Sequence, residues 1–157
     1  EVVGEIDWLH VEPGSRGQRI GDELLAALES RLNDHGVARV EGRLTPRTGI
    51  VDLPLIVDWP NRPRQKVDHE TGRQAVTDWR VVRAGAAGSR VRLMPRTGRS
   101  HQLRVHMMAL GHPILGDPFY ASGAALDHTR LMLHSEALQL RHPDGGRGVR
   151  FRAKCPF

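Results

Sequence analysis

The chain has 157 residues and 39% hydrophobic content, which fits one domain with a modest core. Its formal net charge is +5, and of 23 basic residues only Lys66 and Lys154 are lysines, so its positive charge sits almost wholly on arginine forks that suit phosphates and base edges. The lone Cys155 excludes an internal disulfide and a cysteine-built metal cluster, and no apolar run reaches the ~18 residues of a membrane helix; both point to a reducing, cytoplasmic setting.

The first 36 residues read as strand, loop and helix. Val2 to Val11 is β-prone, and Glu12-Pro13-Gly14-Ser15-Arg16-Gly17 breaks it. Ile20, Leu24, Leu25, Leu28 and Leu32 then recur at helical spacing, with Gly36 as a stop. No signal-peptide pattern is present, and the chain opens on Glu1 rather than methionine, as an excerpt of a longer reading frame would. The run Val11-Glu12-Pro13-Gly14-Ser15-Arg16-Gly17-Gln18-Arg19-Ile20-Gly21 resembles motif A of the GNAT acetyltransferases, with Arg19 where that family has a glycine. The resemblance implies a loop and helix N-terminus able to hold the pyrophosphate of acetyl-CoA. Only one β–α unit of such a domain is visible, so acetyl-CoA is not an expected cofactor and an acetyltransferase is the weakest functional reading.

From Val37 the pattern changes to short strands. Val37 to Arg43 is strand-like, and Thr45-Pro46-Arg47-Thr48-Gly49 has turn composition. Trp59-Pro60-Asn61-Arg62-Pro63-Arg64-Gln65-Lys66-Val67 is a proline-stiffened basic loop that runs into a strand. Gln74–Val82 and Arg90–Met94 flank Ala84-Gly85-Ala86-Ala87-Gly88 as one hairpin, and Ala137–Arg141 and Val149–Ala153 flank Pro143-Asp144-Gly145-Gly146 as another. Between the hairpins lies one clear helix, with Ser100 as its candidate N-cap and Gly111 as its stop. The expected fold is α+β, a mostly antiparallel mixed sheet preceded by a β–loop–α unit. The expected organisation is a fragment over 1–36 and a larger unit over 37–157.

The most informative stretch is Arg96-Thr97-Gly98-Arg99-Ser100-His101-Gln102-Leu103-Arg104-Val105-His106, followed by Gly111-His112-Pro113-Ile114-Leu115-Gly116-Asp117. These two runs resemble the RluA-type RNA pseudouridine synthases, and Val37-Ala38-Arg39-Val40-Glu41-Gly42 and Trp59–Val67 extend the resemblance over residues 37–157. It implies the pseudouridine synthase fold and an isomerase that breaks a uridine C–N glycosidic bond and rejoins the base through carbon, without a cofactor. The target base must leave its stack to be reached. The resemblance also implies an aspartate that attacks or deprotonates the ribose, an arginine that pairs with it, and a tyrosine against the flipped base. Only the arginine carries over, to Arg104. The nucleophile motif H-R-L-D is absent from the sequence, and Gly36 stands at the tyrosine position.

Asp7 is the nearest candidate for the missing carboxylate, in the context Glu5-Ile6-Asp7-Trp8-Leu9, and most simply a solvated strand residue. Arg104 stands beside the apolar stripe Leu103, Met107 and Leu110; pointed into a cleft without a carboxylate, it would be a stability problem as well as a catalytic one. Arg62, Arg64, Lys66, Arg99 and His101 are the candidate RNA-binding residues. His101, His106 and His112 lie five and six apart, the wrong spacing for two imidazoles on one helical face, so no metal is expected. Ser100 and Ser135 lack a nucleophile elbow, and Met94, Met107, Met108 and Met132 read as core filling. The expected partner is structured RNA, a ribosomal or transfer RNA stem-loop, bound by a monomer. The competing reading is an RNA-binding remnant without catalysis.

Overall fold

The computed structural model describes residues 35–142 and 146–157, so the strand, helix and Asp7 expected within the first 34 residues lie outside the described residues. The sheet is built around β1 (His35–Val40), which pairs antiparallel with β6 (Ser89–Pro95) on one side and β7 (Leu133–Arg141) on the other. Beyond β6 stand β5 (Val76–Arg83) and then β2 (Thr48–Asp52); beyond β7 stands β8 (Gly148–Arg152). The six strands run β2-β5-β6-β1-β7-β8, and a separate two-stranded ribbon joins β3 (Leu55–Val57) to β4 (Gln65–Val67). Both expected hairpins are present as β5–β6 and β7–β8, with boundaries shifted by at most four residues. The expected turn at residues 45–49 is shorter than its composition suggests, because Thr48 and Gly49 already pair with Arg80 and Trp79.

Alternation decides which face of the sheet is buried. Ser89, Val91 and Leu93 of β6 face inward with Thr77, Trp79 and Val81 of β5, whereas Arg90, Arg92 and Met94 face outward. Met94 is therefore not a core residue: it lines the outer face together with Arg80 and Arg92. The inner face joins Ala38, Val40, Leu44, Val51 and Ile114 under Met107, with Leu103 and Leu110 packed beside it. A second cluster unites Leu55 and Ala75 with Val105 and Tyr120, covered by Val67, Met108 and Phe119.

The helix α1 (Gln102–Ala109) separates these two clusters, sending Met107 to the sheet and Val105 to the ribbon side. The apolar stripe Leu103-Met107-Leu110 thus packs on the inner face of the sheet. Ser100 is not the N-cap. That position belongs to His101 in the left-handed conformation (φ 55°), and its side chain makes no capping bond. The helix ends as expected at Gly111 (φ 78°), where its N–H donates to the Met108 carbonyl at 2.9 Å and the His112 N–H to that of Met107 at 3.0 Å.

The chain then crosses under β1, and Ile114 bridges to Val40. Gly116 follows at φ 71°, and a β-carbon there would overlap the Arg130 carbonyl oxygen. Glycine is required for both reasons. Gly116→Ala is expected to lower the unfolding free energy by more than ~1 kcal/mol, since the αL penalty and the backbone displacement add; a urea midpoint equal to that of the parent would disprove the requirement.

Candidate RNA-modification site

Arg104 leaves α1 between the two clusters and meets Asp117 in a two-pronged pair. Its Nε donates to Oδ2 at 2.8 Å and its Nη2 to Oδ1 at 2.6 Å. The Asp117 side chain has no exposed surface and that of Arg104 only 13%. Asp117 Oδ1 also accepts the backbone N–H of Phe119 at 2.9 Å and of Tyr120 at 3.2 Å. The question of an anion for a cleft-facing Arg104 is thus answered: a carboxylate reaches it from the Gly116-Asp117 turn thirteen residues on. Burial would raise the Asp117 pKa, but the Arg104 fork and the two amides outweigh it and hold the carboxyl below its ordinary value.

Three rings surround this pair. The Arg104 guanidinium carbon lies 5.1 Å from the ring centroids of both Phe119 and Tyr120. His101 stacks on Phe119 at 5.7 Å and meets Tyr120 edge-on at 5.7 Å. The Tyr120 hydroxyl accepts the Gln65 N–H at 2.7 Å and lies 2.8 Å from His101 Nδ1. With its acceptor role filled by Gln65, we assign the tyrosine proton to Nδ1 of a neutral His101. Burial lowers the His101 pKa first, and the positive charge of Arg104 lowers it further.

The remaining motif residues hold the helix start in place. Gln102 is buried; its Oε1 accepts the Thr97 hydroxyl at 2.8 Å and the Arg99 N–H at 3.0 Å, while its Nε2 donates to the Val76 carbonyl and to Thr77 Oγ1, each at 3.0 Å. Thr77 in turn lies 2.9 Å from His106 Nδ1, and His106 Nε2 lies 3.1 Å from the Leu53 carbonyl. A carbonyl can only accept, so Nε2 carries the proton, and Thr77 donates to Nδ1. His106 is a neutral core histidine whose pKa burial depresses. His112 is held separately, with Nδ1 2.8 Å from the Glu41 carbonyl. Among the described residues no three metal-ligating side chains converge.

Of the candidate RNA-binding residues, Arg64 lies over the Tyr120 ring at 5.4 Å and Arg62 over Trp59 at 4.4 Å. Lys66 approaches Asp68 at 3.9 Å. Arg99 is exposed and its Nε donates to the Gln74 carbonyl at 3.1 Å. The structure thus gathers His101, Arg104 and Arg64 about Tyr120 and leaves Arg99 at the helix start. Gly36, at the expected tyrosine position, faces Leu103, whose Cδ1 would lie 3.4 Å from an added β-carbon. Asp117, Phe119, Tyr120 and Gln65 escaped assignment from sequence. The signals for two of them were an aspartate at the end of a largely apolar run and the chain's single tyrosine.

The family model of RNA pseudouridylate synthases matches residues 26–109, just over half of the chain, and the chain belongs to that family. The match begins ahead of Val37. Among relatives, the chain is 58% identical over 123 residues to the dual-specificity RNA pseudouridine synthase RluA of Salmonella typhi, covering 77% of this chain and 56% of the relative. The figures for RluA of Escherichia coli strain K12 are the same, and RluA of Vibrio vulnificus is 54% identical over 112 residues, covering 68% of this chain and 45% of the relative. The chain therefore spans about half the length of the curated relatives it matches. Among solved structures, human RNA pseudouridylate synthase domain containing 1 superposes with a TM-score of 0.74 at 27% identity, covering 90% of this chain and 62% of that one.

Two expected outcomes follow from this geometry. Asp117→Asn should cost about 3–5 kcal/mol by leaving Arg104 buried without its counter-charge, whereas the double variant R104M/D117L should lose much less than the two single losses combined; additive losses in urea unfolding would refute the coupling. Stability should also fall as pH drops below the ordinary histidine value of 6.5, because unfolded His101 and His106 take up protons that the folded chain resists. The stability that depends on Asp117 is lost only below its ordinary 3.8, since its folded pKa is depressed. His106→Gln should remove part of the fall between neutral pH and about 5.5; an unchanged pH profile would contradict the neutral assignment.

Proposed function

We propose that this chain is the C-terminal part of an RluA-like pseudouridine synthase catalytic unit that acts on a uridine in a ribosomal or transfer RNA stem-loop. The observation that carries the reading is the Arg104–Asp117 pair beneath Tyr120, edged by Arg64. A planar cation held under a wall of rings suits a flipped base and the carboxylate chemistry next to it. Arg104 uses Nε and Nη2 on Asp117, and its Nη1 has no partner among the described residues. That nitrogen is the natural donor to a catalytic carboxylate from another part of the enzyme.

Asp117 itself is not that nucleophile. It is fully buried, and both of its oxygens are engaged by Arg104 and two amides, so attack on a ribose carbon would require dismantling the pair that holds the site. The 157 residues contain no H-R-L-D, and guanidinium stays protonated at working pH, so Arg104 cannot substitute. The reading is therefore an RNA-binding, catalytically impaired unit. The full engagement of Asp117 equally favours the second reading, a remnant that binds RNA without turning it over.

Arg62, Arg64, Lys66 and Arg99 supply the phosphate contacts. His101, neutral and bonded to Tyr120, serves the base pocket rather than a phosphate. Binding of a transfer RNA stem-loop is expected to fall steeply with salt, each phosphate contact adding roughly −0.7 to −0.9 to the log–log slope. Tritium release from labelled uridine is expected to be at least ~10³-fold below that of an intact relative. Flat affinity between low and moderate salt would sink the RNA reading. Robust release that Asp7→Ala abolishes would make Asp7 the nucleophile and overturn the impaired reading.

A further inference from the structure

The tip of the β3–β4 ribbon carries a large ring that the site just described does not use. Trp59 is 66% exposed, the highest value among the large hydrophobic residues of the described chain. It stands on a short 3-10 turn, Trp59–Asn61, among the exposed residues Pro60, Asn61, Arg62 and Pro63. No apolar patch surrounds it, so it lacks the neighbours that a hydrophobic protein contact would need. What it has instead is Arg62, whose guanidinium carbon lies 4.4 Å from its ring centroid. Among the described residues no carboxylate pairs with Arg62 or Arg64.

The turn is also stiff. The Asp58 N–H donates to the Arg64 carbonyl at 2.9 Å, the Asn61 N–H to the Asp58 carbonyl at 2.9 Å, and the Arg64 N–H to the Asn61 carbonyl at 3.0 Å. Asn61 Nδ2 adds a bond to Asp58 Oδ2 at 2.9 Å, and Pro60 and Pro63 fix two further backbone angles. A tryptophan held rigidly in water, half covered by an unpaired cation, is preorganised for a flat, electron-rich, anionic ligand. An unpaired nucleobase with its phosphate has that chemistry: the base stacks on the exposed ring or on the guanidinium plane, and the charge meets Arg62 and Arg64. The same ribbon touches Tyr120 through the Gln65 N–H and Arg64, so its tip projects from the wall of the base pocket.

We infer that Trp59 and Arg62 form a stacking platform for one unpaired base of the RNA, next in the strand to the nucleotide taken into the Tyr120–Arg104 pocket. The inference rests on the RNA-binding reading above. It also explains a preference for stem-loops over continuous duplex, since only a loop offers a free base face at this point. The test compares the full chain with Trp59→Ala, Trp59→Phe and Arg62→Gln. Each is titrated by fluorescence anisotropy against a hairpin RNA with an unpaired loop and against a blunt RNA duplex of equal length, at two salt concentrations. Trp59→Ala should weaken hairpin binding roughly 5- to 150-fold, the range of losing one base–aromatic stack, with an unchanged salt slope. Trp59→Phe should restore most of the affinity, and Arg62→Gln should flatten the salt slope by about one phosphate contact. Duplex binding should not respond to Trp59. The platform is disproved if Trp59→Ala binds the hairpin like the parent, or loses hairpin and duplex equally. If the parent binds neither RNA, the functional reading fails first and the platform with it.

Discussion

A buried charge pair holds the site together. Asp117 is withdrawn wholly from water and is tolerable there only because Arg104 and two backbone amides fill both of its oxygens. The pair fixes the helix α1 to the turn after Gly116, and the amides it captures belong to Phe119 and Tyr120, whose rings then close over Arg104. Remove the carboxylate and three things lose their position together: the cation, the ring wall and the turn beneath β1. The geometry of the candidate site and the stability of the fold therefore share one interaction.

A second network sets where the helix begins. Gln102, Thr77 and His106 form a chain of bonds that is complete at every donor and acceptor, anchored on the Val76 and Leu53 carbonyls and on Thr97. It ties the first turn of the helix to β5 and to the Thr97 turn, while His101 sits at the cap with a left-handed backbone and gives its imidazole to Tyr120. Within Thr97–His106, then, the roles divide. Thr97, Gln102 and His106 are scaffold; His101 and Arg104 face the pocket. Chemically similar residues at adjacent positions serve opposite ends of the design.

The ribbon β3–β4 links this pocket to solvent. Gln65, the first residue of β4, bonds Tyr120, and the turn just before it presents Trp59, Arg62 and Arg64. The outer face of the main sheet is arginine-rich as well, but there Arg92 is occupied by Glu136 at 2.9 Å, and Arg96 pairs with Asp78. Among the described residues Arg62 and Arg64 at the ribbon tip pair with no carboxylate, whereas Lys66 on β4 approaches Asp68.

Local pattern was enough for the α+β class, both hairpins and, among the described residues, the one α-helix with its Gly111 stop, because each depends on side-chain period or turn chemistry. The resemblance carried by Arg96–His106 and Gly111–Asp117 also placed the chain in its family. What local pattern could not supply was the partner of any side chain. Asp117 stands thirteen residues from Arg104 and Gln65 stands fifty-five from Tyr120, and such distances close only when the sheet and ribbon assemble. For the same reason the histidines could not be told apart in sequence. His101 and His106 differ in what surrounds them, a ring wall in one case and a hydroxyl and a carbonyl in the other, and burial is a property of the packed chain alone.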